Sequence, residues 1–212
     1  MNTDAVRREV VERCRDLAMR GYFAATGGNL ALRVEADLIA VTPSATDYFS
    51  MQPEDVAVVR LTDLRQIEGL RPPSVETGLH ARLLGIRSDC GCSIHTHQPV
   101  ASACTLLGRP LKVQNPKHQQ MLGPGIPMVG YAPSGTRWLA AKLAKAVRRD
   151  VNAYLMRNHG AVCCGPDADS TVARVVALEE LASQYLRDRI RMRAADNDSL
   201  RPALKRLLDS FT

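Results

Sequence analysis

His95 and His97 stand one residue apart in Ser93-Ile94-His95-Thr96-His97-Gln98-Pro99. Side chains along an extended strand alternate with a period of two, so both imidazoles leave the same face and can converge on one point. Convergent neutral imidazoles are what a divalent metal ion takes as ligands. Two packing or surface histidines would leave the same letters, an ambiguity every short motif carries. A third histidine lies in Arg157-Asn158-His159-Gly160, where Gly160 predicts a sharp turn that aims the ring outward from two strand ends. Three histidines with an open fourth position make the catalytic zinc arrangement. Alone, His159 reads as a turn residue without a partner.

Glu76 follows Ser74, which predicts a helix start. A carboxylate there is favoured by the helix dipole with or without a function. Beside a metal it could be a fourth ligand, or the acid/base that moves a proton. His80 is four residues on, on the same helix face, and reads as support or packing. His118 falls in a middle loop, open either to substrate or to solvent. Three segments could receive an anion: Thr26-Gly27-Gly28-Asn29, Thr42-Pro43-Ser44, and the start at Ser74. Glycines expose backbone N–H groups, hydroxyls donate, and a helix N-terminus carries partial positive charge. Each is singly an ordinary turn or cap; together they would form a phosphate or carboxylate cradle.

The elements that must position these residues follow from periodicity and punctuation. Asp4 is the predicted cap of a helix to about Arg20, with an apolar stripe from Val6 to Ala18, ended by Gly21. Residues 30–34 and 38–42 read as a hairpin, 55–59 as a third strand and 64–67 as a fourth. A helix to Gly85 precedes the strand ending at His95, and another runs from Pro99 to about Leu107. Residues 108–125 show no period and read as a loop or lid. Residues 126–131 read as a strand and 135–149 as a helix. The hairpin around His159 comes next, then a long helix capped by Asp167 and a short one after Pro202. The order predicts one α/β domain over 1–212 with a mixed, partly antiparallel sheet.

The bulk numbers narrow the function classes. At 212 residues, the chain is long enough for one sizeable core. No run approaches membrane-spanning length and the first residues hold no apolar signal core, so the expectation is a cytoplasmic protein that does not engage membranes. Six cysteines without a framework spacing read as buried, reduced thiols. Net charge is +6, which suits a small anionic substrate, and the arginines at 187, 189, 191 and 193 read as a solvated helix face. Aromatic residues are only 4%, too few for base stacking, so nucleic acid is not an expected partner.

Taken in order, Thr-Gly-Gly-Asn, Thr-Pro-Ser, Pro-Ser-x-Glu, His-Thr-His and Asn-His-Gly resemble the class II aldolase/adducin family over about residues 5–190. The resemblance implies a three-layer αβα sandwich with a central mixed sheet, and a homotetramer with active sites between subunits. It implies His95, His97 and His159 as zinc ligands, with manganese or cobalt as other possible occupants, and Glu76 as the catalytic carboxylate. Gly28, Asn29, Ser44 and Ser74 match positions around a substrate phosphate, and His118 is a further candidate substrate contact. The implied reaction is retro-aldol cleavage of a small hydroxylated ketone, as a sugar phosphate, through a metal-stabilised enediolate. Relatives put the same site to decarboxylation, dehydration or 4-epimerisation, and adducin uses the fold without catalysis. Four departures bear on the substrate. Ala45 replaces the glycine usual after Thr-Pro-Ser, and Val75 replaces the second serine of Pro-Ser-Ser-Glu. Neither the middle loop, where Lys117 and His118 are the polar residues, nor the tail after residue 200 carries the tyrosine of fuculose-phosphate aldolase.

Overall fold

β5 (Cys92–Thr96), the strand that carries His95, is buried at every residue and hydrogen-bonded on both edges. On one side it pairs antiparallel with β1 (Asn29–Glu35), setting Asn29 opposite His95. On the other it pairs antiparallel with β10 (Ala161–Gly165), setting Ala161 opposite Thr96. Outward from β1 come β2 (Leu38–Val41), β3 (Ala57–Arg60) and β4 (Gln66–Glu68). Outward from β10 come β9 (Ala153–Met156) and β8 (Met128–Val129), the last pairing parallel. The eight-stranded sheet is therefore mixed and mostly antiparallel. This computed structural model describes residues 2–25 and 27–210, so Thr26 of the candidate cradle lies outside the described residues.

Alternation along the strands sends side chains to two cores. Leu30, Leu32, Cys92 and Ile94 face α1 (Thr3–Met19), α3 (Pro99–Thr105), α4 (Pro116–Leu122) and α6 (Ala168–Ala195). Ala31, Ile39, Val41, Tyr154 and Val162 face α2 (Thr77–Ile86) and α5 (Arg137–Ala146). Helices thus cover both faces, giving the three-layer αβα sandwich. A final helix, α7 (Arg201–Asp209), packs on α6. All six cysteines are buried and unpaired. No helix among the described residues is long and apolar enough to cross a membrane.

Several boundaries differ from expectation. Asn2, not Asp4, caps α1, its side-chain oxygen accepting from the Asp4 N–H at 3.0 Å. Ser74 does not cap α2; its N–H bonds Thr42 O at 2.9 Å in an extended bridge, and Glu76 holds the cap position. Residues 108–125 are not a bare loop: Asn115 caps α4, with Pro116 at its first position. Strands β6 (Leu111–Lys112) and β7 (Gly125–Ile126) pair across that helix. These pieces are too short to show a period. Pro127, unable to donate to a ladder, separates β7 from β8 where one strand was expected.

Candidate metal and catalytic centre

Three strand ends meet at one end of the sheet's middle strands: the exit of β5, the start of β1 and the turn between β9 and β10. His95 projects from β5 and His97 from just beyond it, while His159 comes from the turn. Their ligand atoms lie within 4.8 Å of one another. His95 is fully buried and His97 and His159 half-buried. In the turn, Asn158 takes the left-handed conformation, with φ of +57°. Gly160 is needed because a Cβ there would come within 2.8 Å of the His97 ring and 3.0 Å of the His95 ring.

The tautomer of His95 is fixed locally. Its Nδ1 lies 2.9 Å from Ala161 O, an acceptor only, so Nδ1 carries the proton and Nε2 presents a lone pair. That Nε2 lies 2.9 Å from His97 Nε2 and 3.2 Å from Glu76 Oε2. Burial pushes the pKa of His95 down and holds it neutral, and burial lowers that of His97 too. Lone pairs of buried neutral imidazoles and a carboxylate, all aimed at one point, repel unless a cation sits among them. The donor set therefore fits a divalent metal, and the backbone bond at His95 Nδ1 orients a ligating imidazole.

Glu76 is 4% exposed and faces the imidazoles, Oε1 lying 3.4 Å from His159 Nε2. Each oxygen also has a donor: Asn29 Nδ2 to Oε2 at 3.0 Å and Ser134 Oγ to Oε1 at 2.9 Å. Burial alone would raise this carboxyl's pKa. The hydrogen bonds donated by Asn29 and Ser134 favour the ionised form and act against it, and the carboxyl lies well below the usual carboxylate range. A carboxylate so placed can bind a cation, or exchange a proton with a substrate held on one. Asn29 Oδ1 in turn lies 2.6 Å from His80 Nε2, and His80 Nδ1 lies 2.8 Å from Ser93 Oγ. His80 is thus a buried support, its pKa pushed down to about 4 by burial.

The cradle segments do adjoin. Thr42 N and Oγ1 bond across to Leu30 O and N, and Ser44 N donates to Pro72 O at 2.9 Å. Gly28 sits at φ of +112°, a conformation glycine alone takes freely, beside Asn29. Ser74 Oγ accepts from Glu76 N at 3.2 Å. Asn29, a phosphate candidate in the sequence, has its amide nitrogen on Glu76 and its oxygen on His80. His118 is not with this group; it lies on α4, 3.4 Å from Glu180. Ser134, in the approach to α5, had no signal in the sequence beyond being a serine near a glycine. Only the fold brings it to Glu76.

This geometry has relatives. The class II aldolase and adducin N-terminal domain family matches residues 8–186. The chain is 31% identical to the 5-methylthioribulose-1-phosphate/5-deoxyribulose-1-phosphate aldolase of Rhodospirillum rubrum, over 86% of this chain and 81% of that one. It is 30% identical to the L-fuculose phosphate aldolase of Methanocaldococcus jannaschii, over 85% of this chain and 95% of that one. Among solved structures, an L-fuculose 1-phosphate aldolase superposes with a TM-score of 0.81 at 29% identity, covering 86% and 85% of the two chains. With its three-layer sandwich and three-histidine centre, the chain belongs to the class II aldolase and adducin family, as an enzyme of the lyase class.

Proposed function

We propose that the chain is a zinc-dependent aldolase that cleaves a small ketose 1-phosphate. The observation that carries this reading is the Glu76 carboxylate, buried and ionised against three convergent imidazoles, beside adjoining cradle segments. His95, His97 and His159 would hold the metal, for which zinc suits the donor set and manganese or cobalt are other candidates. The bound cation would supply Lewis acidity toward negative charge developing on the substrate's oxygens. In the cleavage, the C3–C4 bond breaks and the C4 hydroxyl gives up its proton as the aldehyde forms. The electron pair left at C3 then takes a proton, giving dihydroxyacetone phosphate. Glu76 holds and moves that proton, with Asn29 and Ser134 orienting its two oxygens. Gly28, Asn29 (through its second amide hydrogen), Ser44 and Ser74 receive the phosphate, and His118 reaches substrate only at an interface with a neighbouring subunit.

The same reading takes residues 1–212 as one domain that assembles as a cytoplasmic tetramer with active sites at subunit interfaces. Light scattering should give four chain masses, and six unpaired buried thiols suit a reducing compartment. Of the substrates named for relatives, a 5-deoxypentulose 1-phosphate is favoured over fuculose phosphate, because the tyrosines of the latter's enzyme have no counterparts. The test is dihydroxyacetone phosphate release, read by coupled NADH oxidation, from 5-deoxyribulose, 5-methylthioribulose and fuculose 1-phosphates. Activity should fall with chelation, return with zinc, and drop by about 10²–10⁴ in Glu76→Gln. A zinc-loaded protein silent on the whole panel would overturn the reading. Val75, 67% exposed where a serine hydroxyl is usual, favours a second one: decarboxylation, dehydration or 4-epimerisation of a substrate less dependent on phosphate. Carbon dioxide release from keto or aromatic acids would be its sign.

A further inference from the structure

His80 is not one of the three clustered histidines, yet it is fully buried and spends both ring nitrogens on hydrogen bonds. Donor and acceptor roles along that line are forced. Glu76 Oε2 is a carboxylate oxygen, so the atom of Asn29 facing it at 3.0 Å is the amide nitrogen. The Asn29 oxygen then points at His80 Nε2, 2.6 Å away, and must accept, so His80 carries its proton on Nε2. A neutral imidazole has one proton, which leaves Nδ1 as the acceptor for the Ser93 hydroxyl at 2.8 Å. The bonds run one way: Ser93 to His80, His80 to Asn29, Asn29 to Glu76.

We infer that His80 is a positioning residue that locks the Asn29 amide with its NH₂ toward Glu76, and so keeps the carboxylate aimed at the imidazole cluster. An asparagine amide is nearly symmetric in shape, and only its partners decide which end faces which way. Without a donor at His80, the amide could turn its oxygen toward the carboxylate, replacing an attraction with a repulsion. Ser93 belongs to the same device. It lies two residues before His95 on the same face of β5, so the strand that supplies a candidate ligand also donates to the imidazole behind the carboxylate. The inference rests on the aldolase reading only for its kinetic consequence.

Two measurements test it. The first needs no activity. In a long-range nitrogen–proton correlation spectrum, the five histidines of the chain are few enough to assign by variants. His80 should show the Nε2–H tautomer alone, and Asn29→Ala, which removes the oxygen facing Nε2, should mix the two tautomers. An Nδ1–H tautomer in the unaltered protein would overturn the inference. The second uses dihydroxyacetone phosphate release. His80→Phe should lower kcat by ~10–100-fold with KM nearly unchanged, and His80→Gln, which keeps a donor, should recover much of the loss. In an Asn29→Ala background, His80→Phe should cost little more, since its partner is gone. Multiplying losses, or equal loss in His80→Phe and His80→Gln, would overturn it. If His80→Phe fails to fold, the tautomer of the unaltered protein and its change in Asn29→Ala decide the matter. A protein inactive on every substrate would defeat the aldolase reading alone, leaving the tautomer to decide this one.

Discussion

Gly160 shows how little room the centre leaves. A methyl group there would meet the rings of His95 and His97 and the carbonyl of Thr96 at once. Two of those neighbours are candidate ligands and the third is backbone of the central strand, so none yields cheaply. Gly160→Ala should therefore displace the imidazoles before it unfolds the sheet. The expected result is at least tenfold weaker zinc binding by competition titration, with near-native circular dichroism; unchanged affinity would refute it. The same crowding explains what could be read from sequence. His95, His97, His159 and Glu76 carry chemistry in their own types and spacings, and all four meet. The supports did not announce themselves. Asn29, Ser93 and Ser134 are small polar residues common in turns and strands, and their roles depend on neighbours between 13 and 58 positions away.

At the scale of elements, β5 and α3 form one unit that presents His95 and His97, and α6 holds it. The first N–H groups of a helix lack intrahelical partners. In α3, those of Val100 and Ala101 donate to the two oxygens of Glu179 on α6, both at 2.8 Å. Gln98 Nε2 adds a bond to Val175 O. Pro99 marked this helix start in the sequence, whereas its capping group, some eighty residues on, could not be read from local pattern. The same holds for residues 108–125, where α4 and a two-stranded sheet are each too short to show a period. Glu179→Ala would leave two N–H groups unpaired in a part-buried place, a loss of about 2 kcal/mol. For a chain of this size, that lowers the melting temperature by about 4–8 °C. Because α3 begins two residues after His97, zinc affinity should fall as well. A variant melting like the parent would show that water replaces the carboxylate.

For the whole molecule, stability depends on keeping imidazoles neutral in the interior. His80 is fully buried, and its pKa is pushed from the ordinary 6.5 to about 4, burial outweighing the opposing charge of Glu76. The groups facing it, Asn29 and Ser93, are uncharged. Above pH 6.5 it is neutral in the folded and unfolded chain alike, and contributes nothing to pH dependence. Between pH 6.5 and about 4, the unfolded chain takes up a proton that the folded chain refuses, so folding weakens as the pH falls. Below about 4 both forms are protonated and this loss levels off, at on the order of 3 kcal/mol. Burial lowers the pKa of His95 and His97 as well, so in metal-free protein they add losses of the same sign. Urea unfolding of chelated protein should therefore show a midpoint that falls from pH 7 to pH 4.5. The fall should be shallower in His80→Gln, which has no titrating ring. A midpoint flat over that range would mean that the interior admits protons without opening, and that His80 is less enclosed than its packing indicates. Zinc should deepen the same dependence, since protons and metal compete for the imidazole lone pairs. The difference between chelated and zinc-loaded curves then separates the contribution of the centre from that of His80 behind it.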